Sequence, residues 1–349
     1  MKTSTLCLFA LAAGTLLPPA ATSADTLIVL NKSDHTASIF DAGTGKPRAT
    51  VAVGRGPHEV EVLADGKTAA VSNYGPRGEP GRSLTLIDLS MNKGTARATI
   101  ELGEGTKPHG LEALRDGRLL VTAEGTKELL VVDPAAGKVT ARIPTAAEVS
   151  HMVVATPDAT RAFVANIGSG SVTAIDLPGR KVLKQIPTGE GAEGIDITPD
   201  GREVWISNRE ADTVSVVDSK TLEIVATLKA PAFPIRVKIT PDGKRALVSC
   251  AESGDVAVFD VASRKEVGRI SLDREAVPGS SERLFSTQFG KSPVPVGLLI
   301  APDGKRAWVA STNADVVSLL DLERLTVISR ITPGKEPDGL GGAFSPTRR

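Results

Sequence analysis

The sequence is poor in aromatic residues and cysteine, and its charges balance. Aromatic side chains make up 3% of the 349 residues, and there are 41 basic and 41 acidic residues. The chain therefore lacks the stacking surfaces and the positive charge by which proteins bind single-stranded nucleic acid or anionic membranes. It also has no C-x-x-C-H motif for covalent haem, no paired C-x-x-C motif for zinc and no Walker loop. We expect no nucleic-acid partner and no covalent haem.

The first 24 residues have the composition of a secretory leader. Lys2 gives a positive start, an apolar run follows (LCLFALAAGTLL), and small residues precede a cleavage point after Ala24. This run is too short to cross a bilayer and no later segment is long enough, so we expect no membrane span. The sequence predicts a signal peptide over 1–24 and a periplasmic or secreted location. Cleavage removes Cys7 and leaves Cys250 without a disulfide partner.

The chain is rich in short apolar strands that end in aspartate and in the turn residues that separate them. Strands with the pattern V-x-D or a close variant recur at spacings of 47, 45, 43, 42, 42 and 61 residues, among 34 glycines and 23 prolines. A period in the low forties built of short strands is the signature of a β-propeller with four strands per blade. The seven aspartates, which we expect to cap the following turns, are Asp41, Asp88, Asp133, Asp176, Asp218, Asp260 and Asp321.

The two ends of the mature chain predict how the propeller closes. It begins with the second strand of a blade (TLIVLN) and ends with a lone first strand (DGLGGAF, from Asp338). Seven blades result only if the C-terminal strand joins the N-terminal three, and this closure removes exposed sheet edges. We therefore predict an all-β fold in one domain over 25–349, a seven-bladed propeller with four-stranded antiparallel blades. We expect it to be a monomer.

The repeat units resemble the YVTN-type β-propeller repeat. The resemblance is carried by VSNYG and SLTLIDL in one unit, by FVANIGSGSVTAIDLPGRKVLKQIPTG in another and by WISNREADTVSVVDSKTLEIVATL in a third, and it covers essentially the whole mature chain. Similar propellers include binding proteins, surface proteins, lactonase-like enzymes and the haem d1 domain of nitrite reductase, so the resemblance implies a fold and leaves the function open. The Gly-His and Trp-Asp signatures of WD40 repeats and the Trp-docking motifs of quinoprotein dehydrogenases are missing.

The repeat allows equivalent residues of different blades to be compared. Three of the four histidines occupy one position, seven residues before the aspartate of the first turn, where the innermost strand begins. In a propeller this position lies at the rim of the central channel, so the equivalent residues form a ring. The ring is His58, His109, His151, Glu193, Ile235, Val296 and Asp338.

Three imidazoles and one carboxylate on adjacent blades favour a divalent metal site. Imidazole nitrogens and carboxylate oxygens bind Zn²⁺, Cu²⁺ or a similar ion and can leave one coordination position open. We predict that His58, His109, His151 and Glu193 are the ligands. The alternative is a structural role, because Pro-His is a common filler at this turn, where the imidazole only caps backbone groups.

Other polar residues are expected at the same mouth of the channel. Glu59 follows the first histidine and is the candidate general base for a metal-bound water. The candidate ligand-binding residues are Asn73, Tyr74, Glu124, Asn208, Arg209 and Arg236.

Each of these candidates has a structural alternative. The two arginines bind either a carboxylate or phosphate group of a ligand, or the carboxylates of Glu193, Glu210 or Glu59. The asparagines either contact the ligand or hydrogen-bond the loop backbone. Glu124 is either a general base or a solvated loop charge.

The widest spacing in the repeat reflects an insertion between blades 6 and 7, at about 271–293. Long loops on a rigid scaffold are commonly functional, so this segment is a candidate lid over the channel mouth.

The sequence leaves three hypotheses for the function. The first, which we favour, is an exported binding protein that holds a metal ion, a small anionic ligand or a partner protein at the histidine-bearing mouth. The second is a metal-dependent hydrolase, lactonase or isomerase acting on a small substrate at the same site. The third is a protein-interaction scaffold without chemistry.

Overall fold

The computed structural model describes residues 25–90, 94–275, 285 and 288–345, and every element of secondary structure in this part is a β-strand. The 28 strands form seven four-stranded antiparallel sheets. The predicted signal peptide lies outside the described residues, and so do residues 276–284 and 286–287 of the 271–293 insertion. Within the described ranges, no helix is long and apolar enough to cross a membrane.

The seven sheets are the blades of a propeller, and the innermost strand of each blade contacts the innermost strands of the two neighbouring blades. From blade 1 to blade 7, the innermost strands are β28 (Pro337–Ala343), β4 (Pro57–Val62), β8 (Pro108–Ala113), β12 (Ser150–Ala155), β16 (Ala192–Ile197), β20 (Pro234–Ile239) and β24 (Pro295–Ile300). The second strands are β1 (Thr26–Asn31), β5 (Thr68–Asn73), β9 (Leu119–Ala123), β13 (Arg161–Asn166), β17 (Glu203–Asn208), β21 (Arg245–Cys250) and β25 (Arg306–Ser311).

The outer half of each blade consists of its third and fourth strands. In the same blade order, the third strands are β2 (Thr36–Asp41), β6 (Ser83–Asp88), β10 (Glu128–Asp133), β14 (Ser171–Asp176), β18 (Thr213–Asp218), β22 (Asp255–Asp260) and β26 (Val316–Asp321). The fourth strands are β3 (Pro47–Ala52), β7 (Thr95–Glu101), β11 (Lys138–Pro144), β15 (Lys181–Pro187), β19 (Ile224–Lys229), β23 (Lys265–Ser271) and β27 (Thr326–Ile331).

The closure predicted from the chain ends is confirmed. Strand β28 pairs antiparallel with β1, with Val29 opposite Leu340, and β1 pairs on its other side with β2. Blade 1 therefore contains both ends of the described chain, and the predicted seven-bladed all-β fold is correct.

Each repeated aspartate ends the third strand of its blade, as the repeat predicted. The Oδ1 atom of Asp41, for example, accepts hydrogen bonds from the backbone N–H groups of Gly43 and Thr44. The six equivalent aspartates also accept backbone N–H groups of the turns that follow them. Because these carboxylates serve the turns, they belong to the scaffold.

The hydrophobic core lies between neighbouring blades. The second strand of a blade is covered on both faces, so that all six residues of β1 and of β5 are buried. Side chains from two blades meet in each cluster, and the fully buried Phe163, for example, packs in a cluster that also holds residues of blade 5. This packing explains why the second strands read as continuous apolar runs instead of an alternating pattern.

Candidate functional site

A β-bulge at the start of the innermost strand presents the ring residues to the central channel. In blade 2, Pro57 pairs with Asn73 and Val60 with Val71, so one extra residue lies between the two pairs. The same irregularity occurs where the innermost strand of every blade begins. Bulges change the direction in which side chains point and are frequent beside functional sites.

Glycines after the bulge allow adjacent blades to approach closely at the channel. A Cβ atom on Gly110 would lie 2.6 Å from the backbone oxygen of His151, and one on Gly194 would lie 2.4 Å from that of Ile235. These distances leave no room for a side chain. The glycines therefore keep the ring residues of neighbouring blades near one another.

The three histidines of the ring, which we call the histidine arc, lie side by side. The ring centroids of His109 and His151 are 3.6 Å apart, and those of His58 and His109 are 5.1 Å apart. Tyr74, the only tyrosine in the chain, stacks on His58 with centroids 4.1 Å apart. All three histidines are at most 9% exposed. The three histidines that the comparison of blades singled out therefore form a buried cluster of imidazole rings.

Glu124 joins the histidine arc from the loop after β9. Its Oε1 atom accepts a hydrogen bond of 2.6 Å from Nδ1 of His151, and its Oε2 atom accepts one of 2.6 Å from the Tyr74 hydroxyl. The Lys107 ammonium is 3.1 Å from the same Oε2. Burial alone would raise the pKa of Glu124, but the hydrogen bonds from His151 and Tyr74 outweigh it and lower the pKa to about 2. Glu124 is thus a carboxylate held by three side chains.

Two arginines surround Glu193 on the other side of the arc. Arg209 donates to Oε2 of Glu193 at 2.7 Å, and Arg236 donates to Oε1 at 2.9 Å. Arg236 also donates to Oε1 of Glu59 at 2.7 Å. Glu59 belongs to blade 2 and Arg236 to blade 6, so this guanidinium reaches across the channel between blades that are not neighbours. The arginines make the ion pairs that the structural alternative predicted.

The environment gives the three histidines different protonation states. Burial, together with the nearby Lys32 ammonium, lowers the pKa of His58 to about 3. Burial and the neighbouring His151 and His58 hold the pKa of His109 well below its ordinary value. For His151 burial also favours the neutral ring, but the carboxylates of Glu124 and Glu193 prevail and raise its pKa. The arc therefore holds two neutral imidazoles beside one that binds a proton readily.

Two buried nitrogen atoms of the arc have no hydrogen-bond partner among the described residues, namely Nδ1 of His109 and Nε2 of His151. The second of these lies 3.4 Å from Oε1 of Glu193, outside hydrogen-bond geometry. One ligand atom each from His109, Glu124 and His151 can be chosen so that all three lie within 4.8 Å of one another. Neutral imidazole nitrogens and a carboxylate in such proximity are a donor set that a divalent ion such as Zn²⁺ or Cu²⁺ accepts.

The structure groups the predicted metal ligands differently from the sequence. Among the described residues, the group whose ligand atoms converge contains Glu124 in place of His58 and Glu193. Nδ1 of His58 donates to the backbone oxygen of Gly56 at 2.9 Å. Both oxygens of Glu193 are engaged by arginine. Of the two alternatives for Glu124, the solvated loop charge is wrong, because the residue is 7% exposed.

Asn73 and Asn208, predicted as ligand contacts or as loop anchors, are anchors within their blades. The amide of Asn73 donates to the hydroxyls of Ser83 and Thr85, at 3.0 and 3.1 Å. The amide of Asn208 donates to the hydroxyls of Thr213 and Ser215, both at 3.0 Å. These bonds fasten the second strand to the third, and both side chains are buried. The role of Glu59 as a general base stays a prediction.

A second set of charged residues lines the innermost strands, and the sequence comparison overlooked it. It lies three residues further along these strands than the ring that contains the histidine arc, which places it about 10 Å deeper in the channel. The set, which we call the deep ring, consists of Glu61, Glu112, Asp196 and Lys238. Moving the blade alignment forward by three residues would have revealed it, because charged residues there interrupt otherwise apolar strands.

The deep ring should make stability fall with rising pH. Burial, and repulsion from Glu61, raise the pKa of Glu112 to about 8 from 4.5. Between these values the unfolded chain loses a proton that the folded chain keeps, so the free energy of unfolding decreases as the pH increases. We expect Glu112→Gln to stabilise the protein by about 2 kcal/mol at pH 8 and by almost nothing at pH 4. Urea unfolding at both pH values measures this.

A matched variant separates this effect from a general loss of negative charge. Glu79 is an exposed carboxylate paired with Arg55, and Glu79→Gln should show no comparable gain at pH 8. A Glu112→Gln protein whose stability relative to wild type is the same at pH 4 and pH 8 would contradict the prediction.

Comparison with known proteins supports the fold. Residues 108–279 match a family described as YNCE-like beta-propeller. A functionally unknown protein from Desulfotomaculum acetoxidans DSM 771 is similar in structure, with a TM-score of 0.74 and 13% identity over 90% of this chain and 98% of that one. Kuenenia stuttgartiensis hydrazine synthase is also similar, with a TM-score of 0.66 and 19% identity over 81% of this chain and 88% of that one.

No curated protein matches the sequence. The two structural likenesses, at such low identity, concern the fold alone. Together with the seven observed blades and the family match over 108–279, they show that the chain is a seven-bladed β-propeller, which is consistent with the YVTN-type repeat.

Proposed function

We propose that this propeller is an exported binding protein that holds one divalent transition-metal ion, zinc or copper(II), at the histidine-bearing mouth of its channel. His109, Glu124 and His151 are the proposed ligands. The observation that carries the proposal is Nδ1 of His109, which is buried and has no hydrogen-bond partner in the described part of the chain. A buried polar atom without a partner is costly, so such an atom beside a histidine–carboxylate pair favours a bound ion.

The protonation states support this donor set. A metal ion binds the neutral form of imidazole, and His109 is kept neutral by its surroundings. Glu124 is ionised and is oriented by Tyr74 and Lys107. Ligand atoms around a tetrahedral ion lie about 3.4 Å apart, and those of the three side chains lie within 4.8 Å of one another.

The test is a metal titration of the full mature chain. Protein freed of metal with a chelator should bind one equivalent of Zn²⁺ or Cu²⁺ by isothermal titration calorimetry. Because the ion must displace the proton of His151, the affinity should increase about tenfold per pH unit below the raised pKa of that residue and level off above it. Buffers with different ionisation enthalpies measure the released proton directly. Absence of stoichiometric binding at every pH would overturn the proposal.

A further inference from the structure

Asp338 lies in the same ring as the histidine arc, and only one of its two carboxylate oxygens has a partner among the described residues. Its Oδ2 atom is 3.3 Å from the Lys32 ammonium, which in turn is 3.8 Å from Glu336. Its Oδ1 atom is buried without a hydrogen-bond partner among the described residues, and the residue is 4% exposed. One lysine thus lies near both carboxylates at this corner of the ring. An ionised oxygen in this situation calls for a hydrogen-bond donor.

His58, at the equivalent position of the adjacent blade, presents a second acceptor. Its Nδ1 atom must carry the proton, because it donates to the backbone oxygen of Gly56. The Nε2 atom of this neutral ring is therefore an acceptor. His58 and Asp338 occupy equivalent positions on adjacent blades, whose innermost strands are in contact. Two acceptors at one corner fit an ammonium group, or a hydroxyl group, of a small molecule.

Two of the remaining positions of the ring are apolar, and the third is Glu193, which is paired with two arginines. Ile235 and Val296 are buried, and Phe233 and Phe289 pack over them. The ring thus has a proposed metal centre at His109 and His151, two acceptors at Asp338 and His58, and an apolar wall. This arrangement is complementary to a molecule with an anionic end, a donor end and a short carbon chain between them.

We infer that the metal-loaded mouth binds a small amino or hydroxy carboxylate, with the carboxylate on the metal and the ammonium or hydroxyl group donating to Asp338 and His58. This inference rests on the proposed function, because the metal receives the carboxylate. Asp338 would then recognise the donor group of the ligand, and the metal would recognise the carboxylate at its other end.

Three acids of equal chain length test the inference. Zinc-loaded protein, with its occupancy verified before each titration, is titrated with β-alanine, 3-hydroxypropionate and propionate by calorimetry. A charge-assisted hydrogen bond should make β-alanine bind at least about tenfold more tightly than propionate, and 3-hydroxypropionate should fall between them. Asp338→Asn should reduce the preference for β-alanine to about threefold or less.

The controls separate this inference from the proposed function. Asp303 caps an exposed turn, and Asp303→Asn should keep the wild-type preference among the three acids. Failure of the wild-type protein to bind zinc contradicts the proposed function itself. Zinc binding with equal affinity for the three acids, or a preference that Asp338→Asn leaves intact, overturns the inference alone. The asparagine side chain can still accept a hydrogen bond from the ligand. Asp338→Ala is therefore a second variant, and it should show the same loss of the preference for β-alanine.

Discussion

Replacement of His109 by alanine is expected to weaken zinc or copper(II) binding at least about 100-fold, which corresponds to about 2.7 kcal/mol. His109 supplies a buried nitrogen that has no hydrogen-bond partner among the described residues, so this nitrogen is available to the ion. His151→Ala should have an effect of the same size, because it removes one ligand and releases Glu124 from its hydrogen bond. Calorimetric titration of each metal-free variant gives the dissociation constants.

The chain supplies a control for the loss of a histidine. His35 lies in a loop outside the ring, where Nδ1 is within 2.9 Å of the backbone oxygen of Lys32. His35→Ala should leave the dissociation constant for the metal unchanged within a factor of about two to three, which is below 1 kcal/mol. If His109→Ala binds the ion as tightly as His35→Ala, the arc has only the structural role that the sequence left open.

Replacement of Arg236 by leucine is expected to reduce the free energy of unfolding by about 3–5 kcal/mol at pH 7. The side chain of Arg236 is 5% exposed and is paired with Glu193 and Glu59. Its removal leaves Glu59 without this cation and leaves Glu193 with Arg209 as its remaining arginine partner. Exposed ion pairs contribute far less. Arg82→Leu, which breaks contacts with Glu101 and Glu104 at the surface, should cost no more than about 1 kcal/mol.

The cost of the Arg236→Leu change should depend on pH in a defined direction. In the native protein burial opposes ionisation of Glu193, but the cations around it prevail and hold its pKa below the ordinary 4.5. The stability from this pair is therefore present above pH 4.5 and is lost as the pH falls. Wild type and variant should begin to converge in urea unfolding below about pH 4.5 and should continue to converge as the pH falls toward the lowered pKa of Glu193. A difference that persists unchanged at low pH would show that lost packing, and not charge, causes the destabilisation.

The fold was almost completely predictable because it is repeated. The V-x-D pattern occurs seven times and precedes the same kind of turn each time. Hydrogen bonds such as that between Asp41 and Gly43 depend only on residues close in the chain. The ring closure followed from the chain beginning with a second strand and ending with a first strand. The neighbourhood of the histidines was predictable for the same reason, since equivalent positions of adjacent blades must meet near the axis.

The partners of individual side chains were not predictable. Glu124 lies in a loop whose sequence gives no sign of burial, yet it joins Tyr74 of blade 2 to His151 of blade 4. Arg236 reaches a carboxylate of blade 2 across the channel. These contacts join residues 27 to 177 positions apart. The blade alignment gives the position of each residue along its strand but does not give the direction of its side chain.

The sequence by itself therefore determined the seven blades, the closure of the ring and the three histidines at one level of the channel, because local turns and a strict period specify them. Only the tertiary structure decided which carboxylate approaches the imidazoles, which arginine joins carboxylates of different blades and which buried atoms have no partner among the described residues. Those outcomes depend on bulges that turn side chains toward the axis and on the burial that shifts their pKa values. Both arise only when all seven blades surround the same channel.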